Sequence, residues 1–248
     1  MVDINYGDLL SSSRDEEPNC HIFIHSGVSS TTTGSVHAQG PWGLSWGITI
    51  DPLTGNLLSS SQTMIIFIDG VSETATGSIL CSDWGGVYTM DMVVDSNGNL
   101  ISSDASRDHI YLHSGISATL LGSFAAPGPV CMGVTLDGDG NLISGDSSTD
   151  HIYIHDGISP TLTGSFASPS SVPYGIATDN DGNLISADDG NRYIYVHDGI
   201  SAVLTGSFVG PAGGTTGVAI YNYQEAPPPS AVSLQFQTDG INYVAQPI

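Results

Sequence analysis

One heptapeptide sets the terms for the whole chain. Gly182-Asn183-Leu184-Ile185-Ser186-Ala187-Asp188 recurs with few changes from Gly140 to Asp146 and from Gly98 to Asp104, and more loosely from Gly55 and Gly7. The starts at 7, 55, 98, 140 and 182 lie 48, 43, 42 and 42 residues apart, and a second marker, Gly-Ser at 34, 77, 122, 164 and 206, keeps the same phase. A chain with such a period buries each unit against its neighbours, and a period near 42 matches a four-stranded blade rather than a solenoid turn.

The best-kept unit, 133 to 174, reads as four strands. Val134 to Asp137 form the first, and Asp137-Gly138-Asp139-Gly140-Asn141 has the chemistry of a tight hairpin turn. Leu142 to Asp146, His151 to His155 and Thr161 to Ala167 follow as the second, third and fourth. Short strands at regular spacing predict an all-β fold, here a five-bladed β-propeller of four-stranded blades. The ends predict how the ring closes. The first unit lacks its first strand, and Gly217 to Tyr221 supply a first strand with no unit after it, so 217–223 should pair beside 7–13. The chain then divides into a propeller over 1–224, a Pro-rich linker over 225–231 and a C-terminal β-hairpin over 232–248.

Composition narrows the functional classes. There is no lysine, and Arg14, Arg107 and Arg192 face 25 acidic residues, for a net charge of -22. Releasing counterions from nucleic acid takes several basic side chains, so no nucleic-acid partner is expected, and no apolar run is long enough for membrane insertion. Cys20, Cys81 and Cys131 fall at different phases of the repeat and are read as free thiols, mostly buried. The N-terminus shows no secretory signal.

The run from Gly182 to Gly199, with its Gly-Asn turn, strand ending in Ala187-Asp188, Asn191-Arg192 pair and Ile194-Tyr195-Val196 strand, resembles the NHL repeat. The resemblance covers about 7 to 223 and implies a propeller. It implies little about function, because such propellers serve many roles. The chain departs from that family in having five repeats where six blades are common, and in lacking the basic residues of RNA-binding members. Val232 to Gln237, Thr238-Asp239-Gly240 and Ile241 to Ala245 alternate around an Asp-Gly turn and resemble the short C-terminal hairpins of phage tail-fibre and other virion proteins.

Three constellations invite a chemical reading. His21/Phe23/His25, His109/Tyr111/His113 and His151/Tyr153/His155, with Tyr193/Tyr195/His197 as a partial copy, place histidines four apart on a strand. At roughly 3.3 Å per residue such side chains lie about 13 Å apart, too far to share one ion, so a packing role is expected. Asp95, Asp137 and Asp179 open stretches like the start of a calcium loop but lack its later bidentate Glu. They are read as turns, with no cofactor expected and weak Ca²⁺ the best metal guess. Finally, Trp42, Trp46, Trp84 and Tyr88 precede the first strands of the second and third blades, where aromatic side chains suit stacking on sugars or on a peptide.

These observations predict a non-enzymatic binding and assembly module, most specifically a structural or surface protein of a virion or similar particle, made in the cytoplasm. Trp42, Trp46, Trp84 and Tyr88 are the candidate ligand site. Leu234, Phe236, Ile241 and Tyr243 of the hairpin are the candidate contacts to other subunits. The alternatives are a lectin-like propeller that binds surface glycans and a metal-dependent propeller lactonase or lyase. An enzyme of that kind needs a few acidic, Asn or His residues converging on the channel as departures from the repeat, and the four Glu, at 16, 17, 73 and 225, fall in loops or the linker.

Overall fold

Each residue of the heptapeptide has a separate job. The glycine closes the hairpin turn in left-handed backbone, with φ of +82° at Gly98, +83° at Gly140 and +82° at Gly182, where a Cβ would be strained. The asparagine bridges two loops: Asn141 donates to Asp137 at 2.9 Å and accepts from the Gly157 amide at 3.0 Å, and Asn99 and Asn183 repeat both bonds. Adjacent residues on a strand point to opposite faces, so the Leu-Ile pair buries both faces of the sheet. Leu100 packs with Leu58 and Ile65 of the preceding unit, and Ile101 with Cys131, Val134 and Leu142 of the next. The aspartate pins the segment that enters its own unit. Asp146 accepts from the Val130 amide at 2.7 Å, and Asp104 and Asp188 do the same for Val87 and Val172.

The computed structural model describes residues 4–13, 21–37, 45–61, 63–211, 214–224, 232–235 and 244–247. Five antiparallel four-stranded sheets follow, in order from the channel outward. Blade one is Thr215–Ile220, Leu9–Ser13, His21–His25 and Thr32–His37. Blade two is Ile48–Ile50, Leu57–Ser61, Met64–Ile68 and Ala75–Leu80. Blade three is Thr89–Val94, Leu100–Asp104, His109–His113 and Leu120–Ala125. Blade four is Cys131–Leu136, Leu142–Asp146, His151–His155 and Leu162–Ala167, and blade five is Pro173–Thr178, Leu184–Asp188, Tyr193–His197 and Leu204–Val209.

The ring closes as the ends of the sequence predict: Leu9 pairs with Ile220 and Ser11 with Val218, three N-terminal strands completed by one from the C-terminal side. Five apolar clusters lie one at each junction between neighbouring blades, including Leu9, Ile185, Ile194 and Val218 where blade five meets blade one. The described helical element is a single 3-10 turn, Cys81–Trp84, between blades two and three.

Val232–Gln235 and Val244–Pro247 form a two-stranded sheet with Gln235 opposite Val244. The Asp-Gly turn expected at 239–240 and the linker 225–231 lie outside the described residues.

Candidate functional site

The histidine motif resolves into a latch used four times. The ladder between the third and outer strands shifts register just before His25, His113, His155 and His197, a bulge that re-aims the imidazole into the blade junction. Each of these rings is fully buried. Nδ1 lies 2.6–2.8 Å from a carbonyl oxygen, of Ser29, Ser117, Ser159 or Ser201, and a carbonyl can only accept. Nδ1 therefore carries the proton, and Nε2 accepts from the hydroxyl of Ser11, Ser102, Ser144 or Ser186 at 2.8–3.0 Å.

Burial holds all four imidazoles below their usual pKa, His113 at about 4, with only partial compensation from the carbonyl bond. A serine beside a neutral histidine is also the start of a nucleophile pair. Here both partners are sealed from solvent, and the histidine is oriented by a backbone carbonyl rather than a carboxylate.

An aromatic ring from the preceding blade covers three of the four histidines: Phe208 on His25, Phe124 on His155 and Phe166 on His197, with centroids 5.8–5.9 Å apart. Blade two has Ile68 in place of the histidine, and Val36 of blade one meets it in the same apolar cluster. At the junction of blades two and three the histidine remains, but the outer strand carries Ile79. Trp84 fills the gap from the 3-10 turn, edge-on to His113 at 4.8 Å and itself buried. Trp84 is thus placed in a blade junction, away from the cavity that holds Trp46 and Tyr88.

The channel itself is built from the innermost strands. At one position these carry Gly47, Gly133, Gly175 and Gly217, and in blade three alone Asp91. A Cβ on Gly175 would come within 2.5 Å of the Thr216 carbonyl and 2.9 Å of the Val218 nitrogen, and one on Gly133 within 2.8 Å of the Tyr174 carbonyl. At these four positions the blades approach too closely for any residue but glycine.

Asp91 fills the space the glycines leave. Its Oδ2 accepts from the Val134 amide at 3.1 Å and the Ile176 amide at 3.4 Å, on blades four and five. Its Oδ1 faces Gly47 of blade two, buried and without a hydrogen-bond partner. A carboxylate that reaches three other blades sits across the channel. Burial pushes its pKa well above the usual carboxylate range, against the pull of the Val134, Met92 and Ile176 amides.

One residue earlier on the same strands stand Trp46, Met90, Met132, Tyr174 and Thr216. Trp46 and Tyr174 stack across the mouth, with centroids 5.7 Å apart and planes at 24°. Thr216 leaves room for them by turning its hydroxyl to the Ser45 carbonyl at 2.8 Å. Trp46, Tyr174, Met90 and Met132 join Tyr88, Ala105 and Ser106 around a cavity of about 200 Å³. Past the waist, Ile48, Met92, Val134, Ile176 and Val218 line a wider cavity of about 500 Å³ that opens between the hairpin turns.

Of the candidate ligand residues, Trp46 and Tyr88 therefore share the channel mouth, Trp84 lies elsewhere, and Trp42 lies outside the described residues. Sequence reasoning missed Asp91, Tyr174, Met90 and Met132. Among the candidate assembly residues, Leu234 falls on a strand opposite Ala245, while Phe236, Ile241 and Tyr243 lie outside the described residues. The aspartates of the calcium-like stretches serve their own turns. Asp137 takes the amides of Asp139 at 2.9 Å and Asn141 at 2.8 Å, and Asp95 and Asp179 repeat the pattern. Among the described residues no three His, Cys, Asp or Glu side chains converge as a metal site. Cys81 and Cys131 are free and buried, and Cys20 lies outside the described residues.

The sequence matches no protein-family model and no curated protein. Solved structures do match. A protein of unknown function from Bacteroides caccae aligns over 82% of this chain and 73% of its own, at 14% identity and a TM-score of 0.53. Myxococcus xanthus glutaminyl cyclase aligns over 71% and 70%, at 14% identity and a TM-score of 0.52. Kuenenia stuttgartiensis hydrazine synthase aligns over 70% of this chain and 51% of its own, at 17% identity and a TM-score of 0.51. At these identities the likeness is one of fold alone. Sheet order, ring closure and structural neighbours agree on what the chain is: a five-bladed β-propeller.

Proposed function

We propose that the chain is a binding and assembly module that works without catalysis and holds its ligand at the channel mouth between Trp46, Tyr88 and Tyr174. The observation that carries this reading is the cavity of about 200 Å³, walled by aromatic rings and two thioethers, with Ser106 as a hydroxyl at its edge. A pocket of that size suits a headgroup, a sugar face or one side chain. Flat aromatic walls favour a lectin-like use as the second reading. A lactonase or lyase would need several polar groups converging on one point of the channel; Asp91 is the single carboxylate of the waist, and Asp95, Asp137 and Asp179 of the wider cavity are taken up by the amides of their own turns.

The assembly half of the proposal rests on the C-terminal hairpin, with Leu234, Phe236, Ile241 and Tyr243 as its apolar positions. A lone hairpin is marginal in water and gains stability by packing on something. A neighbouring subunit on the surface of a virion or similar particle would provide that. Light scattering of the full chain beside a version ending at Ala226 tests this half. A defined oligomer that becomes a monomer on truncation supports it, and a full chain that is itself a 25.7 kDa monomer refutes it.

A further inference from the structure

We infer that the channel mouth binds a methylated ammonium group against the aromatic lining of Trp46, Tyr174 and Tyr88, with Asp91 as the counter-charge beneath them. The inference rests on the mouth being the ligand site and adds the chemistry of what enters it.

Four features converge on a cation. Trp46 and Tyr174, from blades two and five, stack as one aromatic wall, and Tyr88, from the segment before blade three, lines the same cavity. The negative face of an aromatic ring attracts an ammonium ion, and a methylated one loses little hydration on entering. Met90 and Met132 complete the lining with polarisable sulfur and bring no competing donor.

Third, one strand position below those thioethers lies the waist, where the single residue other than glycine is an acid. Asp91 lies beneath the cavity lining, its Oδ1 facing Gly47, sealed from solvent and accepting no hydrogen bond, a cost that a positive charge held above it would offset. Burial favours the neutral form of that carboxyl in the empty site, and a bound cation reverses the preference. Fourth, the chain carries a net charge of -22, which draws small cations towards it. Arg107, next to Ser106 in sequence, does not line the cavity. It bonds Tyr111 and lies near Gly85.

Titration calorimetry of the full chain with choline, with its uncharged carbon isostere dimethylbutanol, and with a trimethyl-lysine peptide tests the inference. Choline stands for a free small molecule and the peptide for a protein side chain. At least one of the two should bind, with choline or the peptide preferred over dimethylbutanol by about tenfold or more, the factor that 1.4 kcal/mol represents. Asp91→Asn should bring that preference close to one. Tyr88→Ala, at an exposed ring, should weaken binding of the ammonium ligand and serves if Asp91→Asn does not fold. Dimethylbutanol binding as well as the ammonium ligands would overturn the cation assignment and leave the mouth a ligand site. Binding of none of the three would overturn the inference and count against the mouth itself.

Discussion

Lowering the pH from 7 to 5 should destabilise this fold by an amount the latches set. A histidine held neutral in the folded chain but free to protonate when unfolded adds stability above its unfolded pKa, and that stability is lost as pH falls towards the folded value. For His113 the two values are 6.5 and about 4, so the window lies between them. At pH 5 the unfolded imidazole is almost fully charged and the folded one almost fully neutral. The difference from pH 7 is about 2 kcal/mol for this residue alone. His25, His155 and His197 are shifted the same way and add to it. For a chain of this length each kcal/mol moves Tm by about 2–4 °C, so His113 by itself predicts a fall of about 4–8 °C. Asp91 acts with the opposite sign, so the comparison belongs in the Asp91→Asn protein, by calorimetry at both pH values. In parallel, the imidazole Cε1 proton of His113 should titrate near pH 4. An unchanged Tm, or a His113 midpoint near 6.5, would show that the latch is open to solvent and refute the argument.

Other consequences follow from the waist and the latches. Asp91 keeps its proton in the folded chain above the pH at which the unfolded chain ionises, near 3.8, so stability falls as pH rises, by up to about 1.4 kcal/mol per unit. Asp91→Asn should remove that slope in urea titrations across pH. Gly175→Ala pushes a Cβ into the backbone of Thr215–Ile220 and should cost about 3 kcal/mol or unfold the chain. Gly138→Ala, with nothing within 4 Å of its Cβ, should stay within about 0.5 kcal/mol by denaturant midpoint. Ser144→Ala leaves the buried Nε2 of His155 without its donor and should cost about 1–3 kcal/mol in the same assay.

The architecture was legible because every position of Gly-Asn-Leu-Ile-Ser-x-Asp does structural work in every blade where it is kept. A repeated side chain bonded to a repeated loop leaves a period, and the lone first strand at 217 announced the closure. The mouth was half legible. Trp46 and Tyr88 stand out as departures from the repeat. Tyr174, however, meets Trp46 from a blade that is not its neighbour, and nothing local in the sequence links positions so far apart.

Asp91 left a signal that went unread. Aligning the chain by the phase of its innermost strands, rather than by the heptapeptide, shows one acid in a column of glycines. Trp84 left one too, since His113 persists while the phenylalanine that covers its counterparts has become Ile79. The buried end of each histidine motif is a third lesson. His109 and His113 look alike in sequence, and the bulge before His113 turns that ring into the blade junction, where it is fully buried and bonded to Ser102.

If ligand enters the mouth above Asp91, the five methionines report it. With methyl-labelled methionine, binding of a ligand should shift the Met90 and Met132 methyl signals and leave Met64, in the third strand of blade two, where it was. A ligand that binds the chain yet moves Met64 and spares Met90 and Met132 would place the site elsewhere and contradict the account.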